Sequence, residues 1–300
     1  MRIVIAGGTG FLGAALTAAL RADGHDVVVL TRQTGTVPPG LASWAPDGTA
    51  GPWARVLDGA DAVINLAGAP LDEKRWTESR KRVLVESRTL STRSLATAIA
   101  ATARPPAVFL SSSAVGYYGA RGGEPVTESA PPGSDFLARL VVQWEDEAKT
   151  AAASGTRVVL MRSGVVLAPD GGALARMLLP FRLGVGGPFG DGRQYMSWIH
   201  RQDWIGLARW LLTSAVPAGP VNATAPAPET NEAFAATLAR VLRRPHLLRA
   251  PAFALRLALG EMADAALLAG QRVVPARAQA LGFRFGWPAL EPALRHLLRR

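Results

Sequence analysis

The sequence predicts an α/β protein built on a doubly wound parallel sheet, with a smaller, mainly helical lobe at its C-terminal end. Three observations carry this. Apolar strand-like runs alternate with helical patterns through the first half, as βαβ units require. A glycine-rich turn joins the first strand directly to the first helix. From Glu229 onward the pattern is almost wholly helical, broken by Pro245, Pro251, Pro275 and Pro288.

The expected strands are Arg2–Ala6, Val27–Thr31, Ala62–Leu66, Ala107–Ser111 and Arg157–Met161, with an edge strand near Ser43–Ala45 and a connecting turn at Val56–Leu57. Helices are expected over Leu12–Arg21, Thr77–Ala101 and Asp135–Ser154. After Met161 the chain becomes rich in glycine and proline up to Arg193, with one helical insert at Ala173–Leu183. Met196–His200 and Val221–Ala223 then read as strands flanking a helix over Asp203–Leu212. This divides the chain into a dinucleotide-binding domain over 1–165 completed by 195–225, a lid-like region over 166–194, and a helical domain over 226–300 on the substrate side.

Composition narrows the function. The N-terminus enters an apolar strand at once, which reads against a signal peptide, and no apolar run is long enough to span a membrane. Without cysteine the chain can build neither a disulfide nor a thiolate metal site, and a cytoplasmic location is expected. The formal net charge of +10 is almost entirely arginine, since only Lys74, Lys81 and Lys149 are lysines. Those arginines are scattered along helical patterns, apart from a terminal cluster at Arg295, His296, Arg299 and Arg300. Nucleic-acid binding, which needs a concentrated basic face, is therefore not expected.

Gly7-Gly8-Thr9-Gly10-Phe11-Leu12-Gly13 has the spacing of a Rossmann-type phosphate loop. Gly7 allows the tight turn, Gly10 lets backbone approach a pyrophosphate, and Gly13 permits close helix–strand packing. The amides of the helix start, around Phe11 and Leu12, then face the phosphates. The second strand ends at Thr31-Arg32, where an acidic residue would accept the ribose hydroxyls of NAD. Arginine there fits a 2′-phosphate, so NADP (NADPH) is expected over NAD. Leu66-Ala67-Gly68, Ser111-Ser112-Ser113 and Arg162 also fall at the carboxyl ends of strands, where ligands of open α/β sheets bind. The glycines of Pro169–Gln194 suit a hinged cover. His200 and Asp203 lack the further ligands that a metal needs, and Asp203 is expected to cap the following helix. His25, His246 and His296 stand isolated in the sequence, and no metal is expected.

The glycine loop, the Asn65-Leu66-Ala67-Gly68 segment, the serine run and Met196-Ser197-Trp198-Ile199-His200 resemble an extended short-chain dehydrogenase/reductase. More narrowly, the chain resembles the atypical, sugar-nucleotide-epimerase-like group, through Leu71–Thr77, Ser113–Gly119, Gly192–His200, Leu259–Met262 and Gly270–Pro275. The last two strings match that group's short C-terminal domain. The resemblance implies a Ser, a Tyr and a Lys as the working set, with the lysine lowering the tyrosine pKa. The expected Tyr-x-x-x-Lys position holds Phe136 and Leu140 instead. Ser113, or alternatively Ser112, is left to polarise a carbonyl, and Tyr117, or alternatively Tyr118, to move the proton. Arg88 stands where extended members carry asparagine, either reaching the cofactor or pairing with a carboxylate. Two functions follow: an NADP-dependent oxidoreductase or epimerase-like enzyme on a small carbonyl or hydroxyl compound, or a cofactor-binding sensor or scaffold with little chemistry. Monomer and homodimer are both open.

Overall fold

The computed structural model describes residues 1–213, 216–246 and 248–299; Arg300, the last of the terminal basic cluster, lies outside them. The chain begins β1 (Arg2–Ala6), α1 (Phe11–Ala22), β2 (Asp26–Thr31), β3 (Leu41–Ser43) and β4 (Ala62–Asn65). It continues with α2 (Glu78–Ala101), β5 (Val108–Ala114), β6 (Pro125–Val126), α3 (Phe136–Lys149) and β7 (Arg157–Ser163). Next come β8 (Val165–Leu167), α4 (Gly172–Arg182), β9 (Tyr195–Met196), β10 (Trp198–His200), α5 (Arg201–Leu211) and β11 (Gly219–Ala223). The C-terminal part holds β12 (Glu229–Thr230), α6 (Asn231–Leu242), α7 (Ala252–Leu259), β13 (Arg272–Val273), α8 (Ala276–Ala280) and α9 (Leu290–Leu298).

Seven strands form one parallel sheet in the order β11-β7-β5-β4-β1-β2-β3. The direction of winding reverses at β1, which pairs with β2 on one side and β4 on the other. Alternating side chains sort the core into two layers. Ile3, Ile5, Val29, Ile64 and Met161 meet Leu16 and Leu20 of α1 and Trp204 and Leu207 of α5. Val4, Val63, Phe109 and Leu160 meet Leu95 and Ile99 of α2. Every strand of this sheet thus delivers its carboxyl end to one edge, between two helical layers.

Several details depart from expectation. The edge strand falls slightly earlier, at Leu41–Ser43, and Val56–Leu57 closes a 3₁₀ turn over Pro52–Leu57. The run Met196–His200 splits at Ser197: β10 pairs with β8, and β9 with β12, outside the main sheet. Ser197 is the reason. Its Oγ donates to Gln271 O at 2.6 Å and accepts from Val273 N at 2.9 Å, tying the split to the C-terminal segment. That segment is not purely helical, because β13 pairs in parallel with β6.

Asp203 does not cap α5. His200 does, its Nδ1 accepting from Gln202 N at 2.9 Å. Asp203 lies in the first turn and accepts from Gly286 N and Trp287 N, both at 2.8 Å, which fixes the approach to α9. His296 is not isolated either. His200 and His296 meet at 3.1 Å, and Trp287 stacks against both rings. Because His200 Nδ1 accepts, its proton sits on Nε2 and is donated to His296 Nδ1.

Burial above all, with repulsion from His296 once that ring is protonated and from Arg201 nearby, pushes the His200 pKa down to about 4. The unfolded chain therefore binds a proton near pH 6.5 that the folded chain refuses until about pH 4. Stability is expected to hold above pH 6.5 and to fall by roughly 3 kcal/mol between there and pH 4. Urea titrations of wild-type and His200→Gln protein across this range check it; an unchanged slope with pH in the variant refutes it.

Candidate active site

The turn from β1 into α1 is built by backbone crowding. Gly7 has φ of +77°, and a Cβ there would lie 2.6 Å from the Leu66 carbonyl carbon. A Cβ on Gly13 would lie 2.1 Å from Gly7 O. Neither position accepts another residue without moving β4 or the loop. Gly10 caps α1 with no side-chain hydrogen bond, and no acidic residue occupies the first turn. The first amides of α1, from Phe11 and Leu12 to Gly13, are left to an outside acceptor. Thr9 and Phe11 are exposed beside them.

The neighbouring strand ends complete this edge. Thr31 Oγ1 accepts from Gln33 N, which turns the chain after β2 and leaves Arg32 exposed. Among the described residues Arg32 has no hydrogen-bond or salt-bridge partner. At the end of β4, buried Asn65 donates to Thr92 Oγ1 at 2.8 Å and accepts from Ala67 N at 3.1 Å. This shapes Leu66-Ala67-Gly68 against the glycine loop. A site with crowded glycines, a helix start without an internal cap and an unpartnered arginine suits a dinucleotide with an extra phosphate.

The serine run enters a buried polar network. Ser111 and Ser113 project from β5 to the α2/α3 side, while Ser112 projects to the other. Ser113 Oγ donates to Glu145 on α3 at 2.6 Å. The same carboxylate receives Arg162 through Nε at 2.7 Å and Nη2 at 2.8 Å. Arg162 Nη1 reaches the Tyr118 hydroxyl at 3.0 Å, and that hydroxyl donates to Asn222 at 2.7 Å. All five side chains are buried. Burial alone would lower the Arg162 pKa, but Glu145 outweighs it and holds the guanidinium above its ordinary value. Burial pushes Tyr118 up to about 12 despite the cation beside it.

The two tyrosines thus part company. Tyr118 is enclosed, its hydroxyl bonded on both sides. Tyr117 is half-buried, its ring lies 3.5 Å from the Arg162 guanidinium carbon, and its hydroxyl has no partner among the described residues. Ser113 is engaged by a carboxylate rather than open to a ligand. At the position expected for the working tyrosine, Phe136 packs edge-on to Trp76. Leu140 lies in an apolar cluster with Leu84, Val141, Trp144 and Met262. Arg88 reaches Leu84 O and Ala69 O, both at 3.0 Å, and lies over the Trp144 ring. It has no carboxylate partner among the described residues, which removes that alternative.

The segment after β8 closes over the loop. A Cβ on Gly171 would lie 2.4 Å from the Phe11 ring, and Arg201, paired with Asp170 at 2.7 Å, lies over the same ring. From α4, Arg176 crosses to Asp72 in the segment after β4 at 3.0 Å. Pattern reading missed Glu145, Asn222 and Glu128, whose carboxylate accepts from Asn222 N at 3.0 Å. One signal for the first was present: Glu145 falls on the apolar face of α3 with Val141, Trp144 and Ala148.

Comparison with known proteins agrees with this geometry. Residues 3–223 match the NAD dependent epimerase/dehydratase family, and residues 250–297 match a domain of unknown function, DUF1731. The chain is 41% identical to mouse epimerase family protein SDR39U1 over 304 residues, covering 99% of this chain and 100% of the mouse protein. It is 41% identical to epimerase family protein Mb2239 of Mycobacterium bovis over 299 residues, covering 99% and 98%. The crystal structure of human SDR39U1 with NADPH superposes with a TM-score of 0.91 at 37% identity, over the full length of both chains. With this sheet edge and these relatives, the chain belongs to the NAD dependent epimerase/dehydratase family, as an atypical short-chain dehydrogenase/reductase with a DUF1731 C-terminal domain.

Proposed function

We propose that the protein is an NADP(H)-dependent oxidoreductase or epimerase-like enzyme acting on a small carbonyl or hydroxyl compound in the cytoplasm. The observation that carries the cofactor is Arg32, exposed and unpartnered at the end of β2 where an NAD-selective acid would stand. Gly7, Thr9, Gly10, Phe11, Leu12 and Gly13 would seat the pyrophosphate, Thr31 and Arg32 the 2′-phosphate, and Leu66-Ala67-Gly68 the wall beside them. The NADPH in the human relative's structure supports the same reading. The bound nicotinamide supplies hydride exchange.

Proton transfer falls to Tyr117. Of the two tyrosines after the serine run, it alone keeps an uncommitted hydroxyl, and Arg162 holds its ring in place. Ser113, fixed by Glu145, sets the end of β5 rather than polarising a carbonyl directly; Ser112 is open to that task from the other side. The exposed ion pair of Arg176 and Asp72 would latch the covering segment over the edge and help to exclude water there.

One observation favours a second reading. With Phe136 and Leu140 in place of an acid–base pair and Ser113 bound to Glu145, the protein keeps the cofactor seat but not the usual proton path. A sensor of cofactor state would show hydrogen exchange in α4 that differs between NADPH and NADP-bound forms; identical protection in the two forms removes this reading.

Arg32→Ala should weaken NADPH about tenfold to a hundredfold and leave NADH unchanged, the loss of one charge-assisted contact. Titrating both cofactors by fluorescence tests this, and equal affinities in the wild-type protein refute the NADP assignment. Tyr117→Phe should lower turnover of any accepted carbonyl compound by about 10² or more with NADPH affinity retained; undiminished turnover moves the proton to another donor. Asp72→Asn should speed NADPH release about two- to fivefold, as for an exposed ion pair, in stopped-flow measurements; an unaltered rate denies the cover a latch.

A further inference from the structure

Arg88 is enclosed between the Gly68–Ala69 backbone, α2 and Trp144 of α3. A Cβ on Gly68 would touch its guanidinium carbon at 3.3 Å. Burial, with a minor push from Arg80, lowers its pKa to about 10. Two other enclosed arginines have counter-charges. Arg162 has Glu145, and Arg80 has Glu73 at 3.1 Å. Among the described residues Arg88 has only two carbonyl oxygens, Leu84 O and Ala69 O. A guanidinium carries five N–H donors, so several remain unassigned, and the side chain keeps some surface open to solvent. A cation removed from water without an anion is costly, and such groups mark places where a ligand completes the charge.

Its position says which ligand. Gly68 lies at the carboxyl end of β4, beside the glycine loop, and Trp144 lies one turn beyond Leu140 on α3. The apolar cluster around Trp144 also holds Trp76, Phe136 and Tyr117, the proposed proton donor. We infer that Arg88 receives the carboxylate of the substrate, so that the compound acted on is an oxo or hydroxy acid with an apolar body. A planar guanidinium matches a planar carboxylate through paired N–H groups. A phosphate dianion would call for a second cation, and the neighbouring Arg80 is already neutralised by Glu73. The partly exposed members of that cluster, Phe136 and Tyr117 among them, would flank the rest of the molecule.

This inference rests on the cofactor reading above, and one calorimetric series separates the two. Protein saturated with NADP is titrated with 2-oxo acids, from 2-oxobutyrate to phenylpyruvate, and with their methyl esters. At least one acid should bind tenfold or more tightly than its ester, and Arg88→Met, itself saturated with NADP, should abolish the difference. Should the methionine variant fail to fold, Arg88→Lys keeps the charge but not the planar fork; it should weaken the acid several-fold and leave the ester alone. No acid-over-ester preference in the wild-type protein, with NADP bound, overturns the inference and leaves the cofactor reading standing. A preference that survives either variant in full overturns it equally. Failure of the wild-type protein to bind NADP defeats both.

Discussion

The paired carboxylate of Glu145 and guanidinium of Arg162 fix the centre of this molecule, joining α3 to β7 at 2.7 and 2.8 Å in the interior. Removing both ions from water costs several kcal/mol each, and only mutual attraction with near-complete hydrogen bonding offsets it. The structure meets that condition. Ser113 donates to the carboxylate, while Arg162 turns its remaining edge to Tyr118 and lays its face against Tyr117. Through Tyr118 the network reaches Asn222 on β11, and Asn222 bonds Val274 O beyond β13. One ion pair thus sets the end of β5, the tyrosine turn, the last strand of the sheet and the docking of the C-terminal segment. Losing one partner would strand the other charge, a cost of about 3–5 kcal/mol, so the site cannot loosen locally without loosening the fold.

What could be read from the sequence follows how local each constraint is. The glycine loop was legible because Gly7 and Gly13 answer to backbone contacts within one βα unit, and Arg32 because it ends the next strand. The absent Tyr-x-x-x-Lys was equally plain at Phe136 and Leu140. Contacts between residues far apart in the chain were not. Glu145 reads as one of three successive acids, Glu145-Asp146-Glu147, and Arg162 as a charge at the end of an apolar strand, and nothing local says that they meet. His200 and His296 are 96 positions apart, so a lone histidine on α9 gave no hint of a shared proton. Asp203 had the residue type of a helix cap, but His200 took that role and freed it for the backbone of Gly286 and Trp287.

The large arginine excess has a structural use. Several guanidiniums close loops by donating to carbonyl oxygens rather than facing outward as a patch. Arg277 gathers Pro217, Ala218 and Pro220, and Arg121 ties Tyr118 O to Pro131 O. Arg157 reaches Leu211 O, and Arg21 reaches Val27 O. A planar group with five donors can satisfy several stray carbonyls at once, which an ammonium on a flexible stem does less well. With three lysines in the chain, this is how much of the positive charge is spent.

Arg88 differs from these in its place, against Gly68 at the sheet edge and over the Trp144 ring of α3. Where the resemblance implies a cation on the helix after the serine run, this chain has an apolar residue, Leu140, while Arg88 reaches Trp144 on that helix from α2. On the proposed reading the phenol has moved as well, from the helix to Tyr117 in the turn after β5, where Arg162 is its neighbour. The phosphate end could stay fixed because backbone geometry dictates it. The reacting end depends on side chains that can be supplied from more than one element, so its chemistry could shift without disturbing the sheet that holds the cofactor.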